Sequence, residues 1–302
     1  MIDHFLAGVL VCPALVAVTI GLTSARMRPD RAVPFLAWSM AVAALASLAN
    51  LAVFALKAVA EIPAVGRWFG WSAQAVRDDT AAVPWVSWGS AVALLAAVAA
   101  VALVWRRHRR DRAFAEQYAD LPTGADGVVL VDDPRALAFA LPVRGGRIVV
   151  TTAMRAGLTD RQYAALLAHE RAHLSAGHHG LVRIARLAAA AHPVFRWLAR
   201  RVEFLVERAA DEQAAAAVGD RHVVARAIGT AALIGAPPVV AGLQMAPARP
   251  GVLPQRVASL LRGRPRGSWT LTAAPALVAA FSLVWTGECL YDLGELLVAS
   301  RL

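Results

Sequence analysis

Four long stretches free of Asp, Glu, Lys and Arg constrain this chain more than any other feature of its sequence. Each holds about 20 residues or more, which is the length that a helix needs to cross the hydrocarbon core of a bilayer. Buried helices of a large soluble protein are the alternative, but such helices rarely run so long without a charge. The sequence therefore predicts four membrane spans. They cover residues 5–25, 32–56, 80–105 and 267–287.

The arginines determine the predicted orientation of these spans. They cluster between the first two spans, after the third and before the fourth, whereas residues 57–79 balance three basic residues, Lys57 among them, with three acidic ones. Because cytoplasmic loops carry an excess of basic residues, we expect both termini outside and residues 106–266 in the cytoplasm. The clustered arginines are Arg26, Arg28, Arg31, Arg106, Arg107, Arg109, Arg110, Arg112, Arg262, Arg264 and Arg266.

The net charge of +10 raises the question of nucleic-acid binding. The basic residues flank the spans, where anionic lipid headgroups attract them, and no DNA- or RNA-binding motif accompanies them. We therefore expect membrane lipids as partners and no direct nucleic-acid binding. All but one of the 31 basic residues are arginine, which together with the abundance of alanine indicates a GC-rich bacterial genome. The predicted location is a bacterial cell membrane.

The segment between spans three and four, residues 106–266, has the size of one domain. Apolar runs separated by turn residues predict three short strands, with a hairpin at 144–146 between the last two. The predicted fold is thus mainly α, with an α+β domain between the third and fourth transmembrane helices. Residues 1–105 hold three spans, and residues 267–302 hold the fourth span and a short extracellular tail. The predicted strands are 128–133, 136–143 and 147–152.

Capping residues set the bounds of the helices predicted after the strands. Thr159 is the expected N-cap of the first helix, Gln162 closes a capping box with it, and Gly177 is its expected end. One later helix is as apolar as a span but contains Arg183 and Arg186, and an arginine at mid-membrane costs at least about 2.5 kcal/mol. We expect that helix to be buried or apposed to the membrane. The later helices are predicted at 179–191, at 193–218 and from 220 onwards.

The first of these helices contains the motif His-Glu-Arg-Ala-His at 169–173. Residues four apart lie on one helix face, so His169 and His173 can direct ring nitrogens at one ion, and imidazole is a preferred ligand of Zn²⁺. Glu170 adjoins the first ligand and can accept the proton of an attacking water without binding the metal. Apolar neighbours argue against two surface histidines. The motif predicts one Zn²⁺ per chain, with Glu170 as the catalytic base.

A catalytic zinc site needs a third protein ligand, and the sequence offers two candidates. His179 follows His169 at the spacing of metzincins, but the glycine of that pattern is displaced by one position, at Gly177. Glu207 and Asp211 are four apart on one face of a later helix. There Glu207 would bind the metal and Asp211 would orient a ligating histidine. Glu207 is favoured, and His179 stays open as the alternative.

The stretch from Gly145 to His173, followed by Glu-Arg-Ala-Ala-Asp at 207–211, resembles the M48 and M56 families of membrane-bound zinc metallopeptidases. The resemblance covers about residues 125–262. It implies a cytoplasmic gluzincin-type metalloprotease domain between helices three and four, a layout typical of M56 sensor proteases, towards which the topology leans. Their extracellular sensor domain is expected to be absent, because the chain ends soon after the fourth span.

The resemblance also implies roles for further residues. The strand at 147–152 corresponds to the edge strand that pairs with an extended substrate in these families. His178 and His179 fall where an acidic residue often follows in M56 proteins, and we expect them to support the ligands or to lie on the surface. An oxyanion-stabilising donor is expected. His222 and Arg208 are candidates, although both are more typical of structural residues.

The predicted function is a membrane-embedded zinc endopeptidase that hydrolyses peptide bonds of protein or peptide substrates on the cytoplasmic side, in signalling or regulated proteolysis. By resemblance alone, a cytoplasmic repressor is a candidate substrate. A catalytically silent signalling scaffold that binds a partner through the same domain is the alternative, which the intact Glu170 disfavours. A transporter or channel is disfavoured because the four charge-free spans offer no ionisable residue.

Overall fold

The computed structural model describes residues 2–118, 120–124, 126–143, 145–235, 252–262 and 273–301. The described chain is mainly helical with one small sheet, as predicted. The helices are α1 (Ile2–Arg26), α2 (Pro29–Ala60), α3 (Pro63–Phe69), α4 (Ala73–Asp78), α5 (Val86–Glu116), α6 (Thr152–Ala156), α7 (Asp160–Ser175), α8 (His178–Ala191), α9 (Arg196–Val218), α10 (Arg221–Ile234), α11 (Val252–Arg262) and α12 (Ala273–Ala299). The strands are β1 (Val128–Val131), β2 (Ala138–Leu141) and β3 (Arg147–Thr151).

Four of these helices, α1, α2, α5 and α12, are long and apolar enough to cross a membrane. Their bounds refine the predicted spans. The third begins at Val86 and not at Thr80, because Pro84 lacks an amide proton and disfavours helical backbone at the residue before it. The fourth continues past Glu288, since a charged residue can mark a membrane surface without ending a helix. Residues 267–272 of the predicted fourth span lie outside the described residues.

The helices α8 and α9 form a hairpin that packs against α1 and α2. Small alanine side chains on the buried face of α8 allow the helices to approach closely. Of the two alternatives predicted for the apolar helix after Gly177, burial or apposition to the membrane, the packing of its buried face supports burial. Its Arg186 pairs with Glu203 of α9 at 2.8 Å, which keeps this charge on the polar face of the hairpin. The shared core includes Val16, Ile20, Leu36, Met40, Val182, Ala185, Ala188, Leu198, Val202 and Leu205.

A polar contact joins the tip of the α8–α9 hairpin to α1. The Nε2 atom of His192 lies 2.9 Å from the carbonyl oxygen of Val9 and donates a hydrogen bond to it. In a regular α-helix this carbonyl would accept from the amide of residue 13, but Pro13 has no amide proton. Val9 itself lies in the stretch Leu6–Val11, where the helix is π-helical. His192 therefore supplies a hydrogen-bond donor to a carbonyl whose α-helical partner position is taken by a proline.

A buried ion pair lies at the C-terminal end of α2. The sequence pattern predicts Lys57 as part of a loop, but the structure places it in the last turn of α2 with no exposed surface. Its Nζ donates to Glu61 Oε1 at 2.9 Å, to the Val76 carbonyl at 2.8 Å and to Thr80 Oγ1 at 2.8 Å. Ser87 donates to the same Glu61 oxygen at 2.7 Å. All three protons of the ammonium group thus form hydrogen bonds. Lys57 is a buried residue of α2 and not an exposed charge in a loop.

Replacing Lys57 by methionine is expected to lower the free energy of unfolding by about 3 kcal/mol, because Glu61 would stay buried without its charge partner. Unfolding of the purified protein in detergent measures this. Arg112→Ala is the matched control: it breaks an ion pair of the same spacing with Glu116, whose side chains are both more than half exposed. Such surface pairs contribute about 0.3–0.5 kcal/mol. Equal losses in the two variants would contradict the role assigned to Lys57.

The sheet has the strand order β1-β3-β2. β1 pairs with β3 in parallel, and β2 pairs with β3 antiparallel, which confirms the hairpin predicted at 144–146. The prediction that the strand at 147–152 is an edge strand is wrong, because both of its edges are occupied. The outer edge of β2 instead faces the helices that follow, and β2 is the strand that contacts α7 most.

Candidate metal centre

The helix α7 is held in place by its N-terminal cap. Thr159 Oγ1 accepts a hydrogen bond from the Gln162 amide at 3.3 Å, and Gln162 Oε1 accepts one from the Thr159 amide at 3.0 Å. This is the predicted capping box. At the other end Gly177 adopts a left-handed backbone with φ of 62°, which lets the chain turn into α8. The motif at 169–173 therefore lies within the last two turns of a well-capped helix.

Three side chains from α7 and α9 converge at this point: His169, His173 and Glu207 have donor atoms within 4.8 Å of one another. The two Nε2 atoms are 3.0 Å apart. Glu207 Oε2 lies 3.6 Å from Nε2 of His169, and Oε1 lies 3.8 Å from Nε2 of His173. Ligands of a tetrahedral Zn²⁺ with bonds of about 2.0–2.1 Å are about 3.3 Å from one another. The separations in this group bracket that value, so its chemistry and its dimensions fit a zinc ion.

Asp211 lies one helical turn after Glu207 and approaches the first histidine from behind. Its Oδ1 atom is 3.0 Å from Nδ1 of His169. A carboxylate at Nδ1 favours the tautomer with the proton on that nitrogen and leaves Nε2 free to bind a metal. The structure thus brings Asp211 to the position that its predicted role requires.

Charge and burial determine the protonation of the donors. Burial alone lowers the pKa of His169, but Asp211 and Glu207 more than offset this and raise it to about 10. Burial also acts to raise the pKa of Glu207, yet Arg256 and His169 hold that pKa well below its usual range. Burial keeps the pKa of His173 well below its usual value, so this imidazole is neutral. The carboxylates that favour a proton on His169 would equally favour a divalent cation beside it.

Glu170 lies between this group and the sheet. The residue is only 8% exposed and lies near the backbone amide of Ala140 in β2. Burial raises the pKa of Glu170 to about 7, with a further increase from Glu207, while His169 and the Ala140 amide act in the opposite direction. A carboxyl group with this pKa can take up and release a proton near neutral pH.

The two histidines that start α8 occupy different positions. His178 is buried, and its Nδ1 lies 3.0 Å from Nδ1 of His173, so it supports the second ligand from behind and is not a surface residue. Burial lowers its pKa to about 4. The ring of His179 is centred 6.3 Å from that of His173. Within the described residues the group that could hold a metal includes Glu207 and not His179.

The two oxyanion candidates lie elsewhere. His222 is exposed in the first turn of α10 and lines a cleft with Arg161 and Gly219, away from the converging side chains. Arg208 directly follows Glu207, and successive residues of an α-helix point about 100° apart, so it does not share the helix face of Glu207 and Asp211. Its pKa is lowered by burial. The structure therefore gives neither residue a place at the metal centre.

Arg256 is a site residue that the sequence analysis missed. It lies on α11 and contacts the carboxylates of both Glu207 and Asp211, at 2.9 Å and 2.7 Å. The helix that carries it covers Val252–Arg262, before the fourth long apolar helix. However, no spacing rule connects Arg256 to the acidic residues on α9, because only the tertiary fold brings the two helices together.

Residues 104–185 match the model of Peptidase family M48. No curated protein and no solved structure matches the chain. The matched range includes the sheet and the motif at 169–173 but ends before Glu207. The match supports the M48 part of the resemblance and indicates a metallopeptidase, a class of hydrolase that is usually zinc-dependent. It gives no support to the M56 family.

Proposed function

We propose that this chain is a membrane-bound zinc endopeptidase that cleaves protein substrates on the cytoplasmic side. The observation that carries the proposal is the convergence of His169, His173 and Glu207 beside the buried carboxyl group of Glu170. Two imidazoles and one carboxylate are a ligand set typical of catalytic zinc, in which one position stays open for water or substrate. The match to an M48 peptidase model over the motif supports the same conclusion.

The residues divide the chemistry between them. His169, His173 and Glu207 would hold Zn²⁺, with Asp211 and His178 orienting the two imidazoles. When bound, the ion supplies Lewis acidity, which polarises a peptide carbonyl and acidifies water. Glu170 accepts a proton from the attacking water and delivers it to the nitrogen of the departing amine, so the peptide bond breaks without leaving a charged amide anion.

The outer edge of β2 is the proposed substrate-binding edge, in place of the strand at 147–152. In the described residues β2 has a strand partner on only one side, and Glu170 lies near the backbone amide of Ala140. An extended peptide paired with this edge would lie next to the catalytic base. Main-chain pairing of this kind tolerates many side chains, which suits an enzyme that cleaves protein substrates.

The proposed placement is a bacterial cell membrane with both termini outside. It rests on the four apolar helices and on the arginines that flank them. Residues 1–105 would carry three spans, residues 106–266 the protease domain, whose α8–α9 hairpin packs along α1 and α2, and residues 267–302 the fourth span. A cytoplasmic repressor or another regulatory protein would be the substrate if the enzyme serves signalling, and the lipids around the spans are its other partners.

Vesicles of opposite orientation test the activity and the topology together. We expect inside-out vesicles that contain the chain to cleave added fluorescent casein, to lose this activity on treatment with a zinc chelator and to regain it with Zn²⁺. Sealed right-side-out vesicles should leave the casein intact. Cleavage that survives complete removal of zinc would refute the metallopeptidase. Cleavage confined to right-side-out vesicles would refute the cytoplasmic placement.

A further inference from the structure

We propose that Arg256 is a positioning residue of the metal centre: it holds Glu207 and Asp211 in the orientation that metal binding needs. This inference rests on the proposed function, since it concerns the same site. Arg256 lies on α11, outside the motifs at 169–173 and 207–211, and it does not belong to the group of possible ligands. Its role would therefore be to act through the two carboxylates and not on the substrate.

One guanidinium group contacts two carboxylates on α9. Nε and Nη2 of Arg256 bind the two oxygens of Asp211 at 2.9 and 2.7 Å, which is a bidentate arrangement. Nη1 contacts Oε2 of Glu207 at 2.9 Å. The planar fork of arginine fixes the directions of these contacts, whereas the single ammonium nitrogen of a lysine lacks this bidentate geometry. The side chain is 13% exposed, so water competes little for these donors.

The contact with Glu207 limits the rotation of its carboxylate. Arg256 contacts Oε2, which also lies 3.6 Å from Nε2 of His169, while Oε1 lies 3.8 Å from Nε2 of His173. Held in this way, the carboxylate faces both ligating nitrogens, as binding of one ion by all three side chains requires. Through Asp211 the same guanidinium also orients His169, because Asp211 Oδ1 lies 3.0 Å from Nδ1 of His169. Arg256 thus acts on two of the three ligands.

A purely structural role is the competing explanation, because Arg256 also neutralises two buried carboxylates. The chain offers a close control for it. Arg221 forms a bidentate pair with Glu212, likewise on α9, at 3.0 and 2.7 Å. It also donates to the carbonyl of Leu260, on the same helix as Arg256. Arg221 therefore anchors α11 to α9 as Arg256 does, but its carboxylate partner is not in the metal group.

The experiment compares the zinc affinity of Arg256→Gln, Arg256→Lys and Arg221→Gln in the full-length protein, by competition with a chromophoric chelator. We expect Arg256→Gln to weaken zinc binding by about 10- to 100-fold, the usual effect of removing a partner of a metal ligand. Arg256→Lys should recover part of this loss, and Arg221→Gln should bind zinc as the unaltered protein does. The visible spectrum of bound Co²⁺ should change for both Arg256 variants and not for Arg221→Gln.

Two outcomes would overturn the inference. One is an unchanged zinc affinity in Arg256→Gln, and the other is an equal loss in Arg221→Gln. If Arg256→Gln does not fold, as judged by circular dichroism, an unaltered affinity and Co²⁺ spectrum in Arg256→Lys would also overturn it. A complete lack of zinc binding by the unaltered protein is a different result, because it would refute the proposed function itself.

Discussion

Glu170→Gln is expected to slow peptide hydrolysis by about 10²- to 10⁴-fold while zinc stays bound, since general acid–base catalysis usually contributes that much. The amide of glutamine keeps the size of the side chain but accepts no proton from water at neutral pH. Glu170 is not among the side chains that converge as possible ligands, so the metal content should be preserved. The measurement is the rate of casein cleavage by the purified variant, with its zinc content determined in parallel.

The control for this variant lies on the same helix. Asp160→Asn makes the same chemical change at the start of α7, where the carboxylate is 90% exposed. Its rate should match that of the unaltered protein. If Glu170→Gln cleaved casein at the original rate, Glu170 would not be the base. A different outcome would favour the signalling scaffold. In that case neither the unaltered protein nor Glu170→Gln would cleave a substrate, and cells that carry Glu170→Gln would still show the biological response that depends on this protein.

Glu207→Ala is expected to lower the zinc content from one ion per chain to nearly none. The substitution removes the only carboxylate among the three donor groups and leaves two histidines, which form too weak a site to retain zinc through purification. Buried Arg256 would also lose a charge partner, which opposes binding of a second positive charge. Metal analysis of the purified variant measures the effect.

Glu203→Ala provides the comparison, because Glu203 lies one turn earlier on α9 and has the same side-chain exposure of 17%, but pairs with Arg186. This variant should keep its zinc. Zinc retained by Glu207→Ala would show that another residue completes the ligand set, and His179 would then be the first to replace. Zinc lost from both variants would instead indicate that α9 no longer packs correctly.

Local causes explain which features the sequence could predict. The charge-free runs, the Thr159 cap and the turn at Gly177 depend on residues within a few positions of each other. Among the described residues the structure has a long apolar helix in each run, together with the cap and the turn. The convergence of Glu207 with the histidines was also within reach, because two four-residue spacings place each set on one helix face.

Features with distant causes could not be predicted. Arg256 is 45 residues from Asp211, and the contact exists only because α11 packs on α9. The central place of the strand at 147–152 depends on β1 pairing in parallel, which no turn signal specifies. The sequence around Lys57 is typical of a charged loop. Its burial depends on the packing of α4, whose Val76 carbonyl accepts a hydrogen bond from Lys57. In each case an alternative partner was equally compatible with the local pattern.

The hydrogen bond between His192 and Val9 has a consequence for the order of assembly. The Val9 carbonyl has its donor 183 residues further along the chain. A buried backbone group without a partner costs about 1–3 kcal/mol. We therefore expect the first helix to be less stable in the membrane until the hairpin that carries Glu207 packs against it. Folding of the first two helices and assembly of the metal centre would then be coupled. A fragment that begins at residue 106 would lack α1 and α2, against which the hairpin that carries Glu207 packs.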